Sequence, residues 1–343
     1  MLDRTICNLR QAVVHVVGRE EGLQLSEEGL DLTDDRLTEL LRQYFLSGFT
    51  APEYFAFEPR DGNPNPLEQM AGAVFQDPRT FLSSAADIAR HHDVCITPAV
   101  PKGGDLFIAF FTDIVIDGES SEALGIFKSE DKETYLQLRR LASGRFTLTA
   151  EQGINLQKLD KGCLIFNKEG DQGYRVCVVD RDSKSSAFWK DEFLKVRNWE
   201  DAFHHTQNFM NLTREYLVDQ LQEDFKVSKA DQIDLLNRSV EFFKGRDSFQ
   251  KQQFEAEVLE DPDVIESFRK FSDDYRGQSA LDIIDNFEIS AQAVKRQARI
   301  FKSVLKLDKN FHVYIHGNRE LIEKGFDENK GKHYYKIFFD KET

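Results

Sequence analysis

Apolar residues follow two rhythms along this chain, and the rhythm changes past its midpoint. From Gln11 to Val17 they run almost unbroken, as in a strand. From Asp34 to Phe45 the residues Leu37, Leu40, Leu41, Tyr44 and Phe45 recur every three or four positions, which puts them on one side of a helix. A loop rich in Pro, Gly and Asn, Pro59 to Pro66, leads to two more helical patterns, Leu67 to Phe75 and Phe81 to His91. Asp105 to Ile116 and Ala123 to Lys128 read as strands joined across the turn dipeptide Asp117-Gly118. Cys163 to Asn167 and Tyr174 to Asp180 form a second pair, linked through Lys168 to Gly173. The first half therefore predicts an antiparallel sheet with flanking helices.

After about Trp199 amphipathic helices take over: Glu200 to Leu221, Lys229 to Lys244, Phe249 to Leu259 and Asp263 to Tyr275. Ser228 and Ser248 stand where N-caps belong, with hydroxyls able to accept from unpaired backbone N–H groups. Alternating aromatic strands close the chain, Phe311 to His316 and Tyr334 to Phe339. The expected class is α+β, with an α+β domain over 1–198 and a mainly helical domain over 199–343 that ends in a short β element.

Composition narrows the function classes. The 343 residues are 40% hydrophobic and 31% charged, a globular balance, and the 29 Phe predict a phenylalanine-rich core. No apolar run approaches the roughly 20 residues of a membrane span. The start, Met1-Leu2-Asp3-Arg4, lacks the pattern of a secretory signal, so a cytoplasmic location and no membrane partner are expected. Cys7, Cys95, Cys163 and Cys177 lie far apart, with no Cys-x-x-Cys pair and no His at zinc-finger spacing, so they read as reduced, packed thiols. The net charge of −15 excludes a chain that coats itself in phosphate contacts, and any nucleic-acid site must be local.

One such local feature stands out. Read as a helix, Ala291 to Leu307 places Lys295, Arg299, Lys302, Lys306 and, at its end, Lys309 along one stripe, with Arg296 beside it. Val294, Ala298, Ile300, Phe301, Val304, Leu305 and Leu307 fill the remaining arc, an apolar face for docking on its own domain. From Ala291 to Arg319 there are seven Lys or Arg against Asp308 alone, a net +6 that leaves −21 on the rest. Solvated helix faces usually mix signs, and this one does not. The stripe would span about 21 Å at about 1.5 Å per residue, enough to follow several phosphates. Lysine is a hydrated point charge, better suited to phosphate than to base edges, so weak sequence preference is expected. Arg319, in the turn-like Gly317-Asn318-Arg319, adds a further phosphate contact.

Catalytic constellations are weaker. Glu130-Asp131-Lys132, with Asp113 and Asp117 upstream, has the residue types of a metal-dependent nuclease but reads as a polar turn after a strand. Asp180-Arg181-Asp182-Ser183-Lys184 has the same weakness. His91-His92, His204-His205 and the pair His312 and His316 have no companion ligand at metal spacing. Lys102-Gly103-Gly104-Asp105 precedes a strand instead of opening a helix, which argues against a phosphate loop. No catalytic residue, metal or cofactor is expected.

Several stretches carry a family resemblance: Lys102-Gly103-Gly104-Asp105-Leu106, Ala123 to Lys128, Leu159 to Asn167, Gln207-Asn208-Phe209-Met210, Lys229-Ala230-Asp231-Gln232 and Lys295 through Gly325. Together, nearly end to end, they resemble the 37-kDa nucleoid-associated protein family of bacteria in its longer, Bacteroidetes-type form. The resemblance implies association with the nucleoid and with DNA, no enzymatic activity, and no catalytic residues to transfer. The leading expectation is non-catalytic binding to the DNA backbone through the basic helix. The alternative is an acidic interaction module that recruits a basic DNA-processing protein, its stripe serving a homo-oligomer or internal salt bridges. A metal-dependent nuclease is the third reading.

Overall fold

A computed structural model describes residues 2–3, 7–18, 22–49, 53–60, 62–96, 103–170, 173–181, 187–279, 283–301, 304–314 and 321–341; for 2–3, 169–170, 278–279 and 304–306 it describes the backbone alone. The class is α+β, and the chain divides into units Met1–Trp199 and Glu200–Thr343.

The first unit comprises β1 (Leu2–Asp3), β2 (Asn8–Val17), α1 (Asp35–Leu46), β3 (Tyr54–Phe57), α2 (Pro66–Gln76), α3 (Phe81–Cys95), β4 (Gly104–Ile116), β5 (Glu119–Ser129), β6 (Glu133–Arg140), β7 (Phe146–Gly153), β8 (Lys161–Gly170), β9 (Gly173–Asp180) and β10 (Val196–Asn198). Eight of these strands form one antiparallel sheet in the order β1-β4-β5-β8-β9-β3-β10, with β2 also paired to β4.

Alternation along β4 explains why helices cover both faces. Leu106, Ile108 and Phe110 pack toward Leu67 and Val74 of α2 and Phe81 and Ile88 of α3. Phe107, Ala109 and Phe111 belong to the opposite cluster with Tyr44 and Phe45 of α1. Phe45 stacks on Phe127 of β5 at 4.4 Å between ring centroids. The turn between β4 and β5 has positive φ at both Asp117 (51°) and Gly118 (83°), the conformation two-residue hairpins favour and the reason an Asp-Gly pair serves here. Both sequence-predicted strand pairs form. The short, wholly buried β3, the strand β10, the hairpin β6–β7 and a π-helical turn over Phe188–Leu194 were not anticipated.

The second unit contains α4 (Ala202–Glu215), α5 (Leu221–Asp224), α6 (Lys229–Lys244), β11 (Ser248–Gln250), α7 (Lys251–Phe254), α8 (Pro262–Ser279), β12 (Asn286–Glu288), α9 (Ala291–Gln297) and four short strands, β13 (Val304–Leu307), β14 (Phe311–Tyr314), β15 (Ile322–Asp327) and β16 (Lys332–Ile337). Ser228 caps α6 in a reciprocal capping box with Asp231. The expected phenylalanine core is here: Phe209 packs against Phe249 at 4.1 Å, and Phe249 stacks on Phe287 at 4.6 Å.

Two helix expectations need correction. Ser248 opens a strand and caps no helix, because Phe249 pairs across to Phe287 of β12 and buries there; the helix starts at Lys251 and widens into a π-helical turn, Glu255–Leu259. The stretch Glu200 to Leu221 is likewise interrupted by a π-helical turn over Tyr216–Gln220.

Histidines of the first unit are held neutral by burial. The His15 Nδ1 accepts from the Ser26 N–H at 3.1 Å, and burial lowers its pKa, as it does for His91. His92 is fully buried, edge-on to Phe188 and Phe193. Burial, with nearby Lys128 adding to it, pushes its pKa down to about 3. In the unfolded chain the group protonates at its ordinary value, so the unfolded state binds the extra proton between about pH 6.5 and pH 3 and stability falls as pH falls. Thermal melts followed by tryptophan fluorescence are expected to show about 3 kcal/mol lost from this site between neutral pH and about pH 4. His92→Leu is expected to flatten that slope.

Candidate nucleic-acid interface

The basic segment begins as a helix that stops early. Ser290 is the N-cap of α9, accepting from the Ala293 N–H, and Ala293, Val294 and Gln297 bury the inner side of the helix. Lys295 and Arg296 point to solvent in its last turn, where a helix C-terminus favours cations. After Gln297 the chain turns: the N–H groups of Ile300 and Phe301 both donate to the Gln297 carbonyl, and Phe301 drops into the helical core.

The continuous helix from Ala291 to Leu307 is therefore corrected. Val304–Leu307 is a strand, paired antiparallel with Phe311–Tyr314 so that Lys306 lies opposite His312 and Leu307 opposite Phe311. Its backbone groups find partners across the ladder instead of along a helix. The turn Asp308 to Asn310 starts with Asp308 at φ 53°, a left-handed conformation that Asp tolerates better than most residues.

The break scatters the predicted stripe over three elements. Lys295 and Arg296 are on α9, Arg299 is exposed in the following turn, and Lys309 is exposed at the tip of the hairpin. Lys306 is on β13, where only its backbone is described, and Lys302 and Arg319 lie outside the described residues. Lys295, Arg299 and Lys309 make no ion pair among the described residues. The expected single apolar face does not form: Val294, Ala298 and Phe301 pack into the helical core, Leu307 into a separate small cluster, and Ile300 is exposed.

A second hairpin, unanticipated on its first strand, carries lysines and acids in near balance, with Lys330 paired to Asp327 at 3.8 Å. In β15–β16 the exposed Lys324 faces Tyr335 across the ladder and Lys332 faces Asp327. Lys336 pairs with Glu323 at 3.7 Å and sits 4.5 Å from the centre of the Phe338 ring. Gly325 lies beneath Tyr334: a Cβ there would fall 2.4 Å from the ring, so only glycine lets the tyrosine cross the ribbon. Both hairpins rest on one small cluster, in which Leu307, Val313, Ile322 and Tyr335 surround Ile233 of α6. Ile322-Glu323-Lys324-Gly325-Phe326 has no period-two alternation, and the strand owes its form to the partner Lys332–Ile337.

Over residues 291–343 the sequence carries 12 Lys or Arg against seven Asp or Glu, so the remainder of the chain holds a net −20. The model of the family described as nucleoid-associated protein YejK matches residues 13–342. The chain belongs to that family. No curated protein matches the sequence significantly. The YejK match takes in the sheet, the helical core and both C-terminal hairpins, so the basic segment lies within the family's extent.

Elsewhere in this YejK-family chain two of the carboxylates considered for metal chemistry, and the nearby Asp105, are engaged by lysines, while Asp117 pairs with Arg175 at 2.8 Å. Glu130 pairs with Lys128 at 3.0 Å, Asp180 with Lys161 at 2.9 Å and Asp105 with Lys132 at 2.9 Å. Lys128 and Lys161 are buried neighbours in the β5–β8 register. Burial lowers the Lys128 pKa despite the attraction of Glu130. Among the described residues no group of three or more His, Cys, Asp or Glu is placed to hold a metal ion. No helix among them is long and apolar enough to cross a membrane.

The shared anchor is open to a direct test. Ile233→Ala removes the one side chain of α6 that the hairpin cluster surrounds, a change of about 2 kcal/mol for a buried aliphatic truncation. Hydrogen exchange is expected to quicken at Val304–Leu307 and Ile322–Asp327 while β4 keeps its protection.

Proposed function

We propose that this protein binds chromosomal DNA without catalysing a reaction, through phosphate contacts from its basic C-terminal segment and with little sequence specificity. The observation that carries the reading is the exposure of Lys295, Arg299 and Lys309, with no ion-pair partner among the described residues, in a positive segment of an otherwise strongly acidic chain. Membership of a nucleoid-associated family supports the same target and a nucleoid location. Arg296, Lys302, Lys306 and Arg319 complete the proposed set.

The early end of α9 changes how such contacts would be made. Instead of one helix tracking a groove wall, a short helix end and two β ribbons would present separate charges. A two-stranded ribbon has dimensions that a B-DNA major groove admits, but lysines at a ribbon tip are suited to phosphate more than to base edges. Cation contacts of this kind release counterions and weaken with salt.

A fluorescence titration of duplex DNA against salt tests the reading. With about five phosphates contacted, log K is expected to fall against log salt with a slope near about −4.5. The variant carrying Lys295→Glu, Arg299→Glu, Lys302→Glu and Lys306→Glu is expected to lose nearly all of that slope and the binding with it. A second variant, Lys324→Glu with Lys332→Glu, reports whether the contact extends to the second hairpin. Binding indifferent to the fourfold change overturns the basic-segment assignment. Magnesium-dependent nicking of plasmid that vanishes on changing Glu130 and Lys132 overturns the non-catalytic part.

A further inference from the structure

The hairpin β6–β7 pairs only with itself and joins no larger sheet among the described residues. Its register sets Leu136 opposite Ala150, Leu138 opposite Leu148 and Arg140 opposite Phe146. Because side chains alternate across a ribbon, these six residues share one face. That face has no cover: Leu136 is 71% exposed, Leu138 61%, Leu148 64% and Phe146 61%. The other face is polar and bonded within itself near the base, where the Tyr135 hydroxyl donates to Glu151 at 3.1 Å. An isolated two-stranded ribbon is marginal in water, so the leucine face is the one a partner has to cover.

Charge at the far end says what that partner is. From Leu136 to Ala150 the sequence holds three arginines, no lysine and no acid, in a chain whose net charge is −15. Arg140 lies on the leucine face itself, its guanidinium 6.0 Å from the centre of the Phe146 ring. Alternation turns Arg139 to the polar face, and Arg145 closes the turn. All three are exposed and make no ion pair among the described residues. The Leu141 N–H donates to the Arg145 carbonyl and the Gly144 N–H to the Leu141 carbonyl, each at 2.9 Å, so the arginines surround a closed tip. Cations on both faces of a tip fit a groove, whose anionic walls rise on either side, better than a flat surface. Of the acids at the base, Glu133 stands about 20 Å and Glu151 about 13 Å from Arg139 along the strands. Both distances exceed a Debye length of about 8 Å, so the base does not cancel the tip.

The leucines select the groove. The floor of the major groove presents hydrogen-bonding atoms at every base pair, and leucines would leave those atoms unpaired. Proteins that open the minor groove instead press apolar side chains between base steps and kink the duplex, with arginines drawn to the groove's negative potential. We propose that β6–β7 is a DNA-bending arm. Its leucine face seats in an opened minor groove, Phe146 and Leu138 enter a base step, and the arginines hold the tip between the two strands. This role rests on the reading that the protein binds DNA, and is independent of which C-terminal residues make the phosphate contacts.

Energy transfer between dyes at the two ends of a short duplex tests this on the full-length protein at saturating concentrations. Wild type is expected to raise the transfer, as a bend of at least about 20° would. Leu138→Ser with Phe146→Ser is expected to return it to that of free duplex and to weaken binding about tenfold, since stacking on a base is lost. The far-ultraviolet circular dichroism spectrum should not change, because both side chains are exposed. Arg139→Gln with Arg140→Gln and Arg145→Gln, which leaves the apolar face intact, is expected to lose the bend as well. Wild type that binds without bending, or a bend that survives both variants, overturns the arm and leaves the C-terminal contacts standing. A bend that persists in the fourfold C-terminal variant and vanishes with the ribbon substitutions supports the arm and overturns the C-terminal assignment. Wild type that binds no duplex overturns both. Phosphatidylglycerol vesicles that float wild type but not the Leu138 and Phe146 variant, with the duplex left straight, overturn the arm in favour of a membrane surface.

Discussion

How little apolar surface the C-terminal ribbons possess governs everything they can do. Leu307, Val313, Ile322 and Tyr335 meet Ile233, and Ile233 and Ile322 are the two members of that cluster that are fully buried. Ribbons of four to six residues per strand do not hold together in water by hydrogen bonds alone. They depend on α6, whose capping box fixes the end of the helix one turn from Ile233. With the inner side chains committed to this contact, His312, Tyr314, Lys332 and Lys336, which alternate with them, are left exposed or partly exposed. The same pattern that anchors the ribbons thus exposes their charge.

The sheet of the first unit obeys the opposite regime, with helices over both faces and phenylalanine packed on either side of β4. Polar groups that enter such an interior must be paired or neutral. Lys128 and Lys161 enter it beside Glu130 and Asp180, and His92 enters it uncharged. Removing either carboxylate would take a charge partner from a buried ammonium, so these acids are tied to structure, which is why the residue types of a metal site occur here without its geometry.

Legibility followed the strength of the local signal. The turn at Asp117-Gly118, the helix over Lys229–Lys244 and its serine cap were readable, because turn chemistry, period and capping agree there. Val304-Leu305-Lys306-Leu307 was not, since four residues with one lysine fit either period and continue the pattern of the preceding helix. What decided it lies four to ten residues on, in the aromatic strand Phe311–Tyr314 that supplies the ladder. Phe249 was misplaced for a similar reason: its strand exists only because Phe287, distant in sequence, stacks on it. For the basic residues, charge and exposure could be read from sequence, but their arrangement depended on those long-range pairings. The ribbon β6–β7 carries its signal in the alternation of Leu136 and Leu138 with Gln137 and Arg139, although the apolar side stays exposed.

An acidic chain with one basic segment imposes an orientation on any polyanion it meets. At physiological salt the field of each charge decays over about 8 Å, so a duplex senses the patch nearest to it and little of the distant surface. Approach by way of the acidic remainder is repelled, and approach by way of Lys295, Arg299 and Lys309 is favoured, so productive encounters are selected before any contact forms. In the proposed function the acidic excess would act as a restraint on where DNA can lie, not as an argument against binding it. Charges dispersed over a helix end and two ribbon tips also tolerate variation in the path of the backbone better than a single rigid stripe would. That tolerance suits contact with phosphates of any sequence and offers no fixed set of side chains with which to read bases.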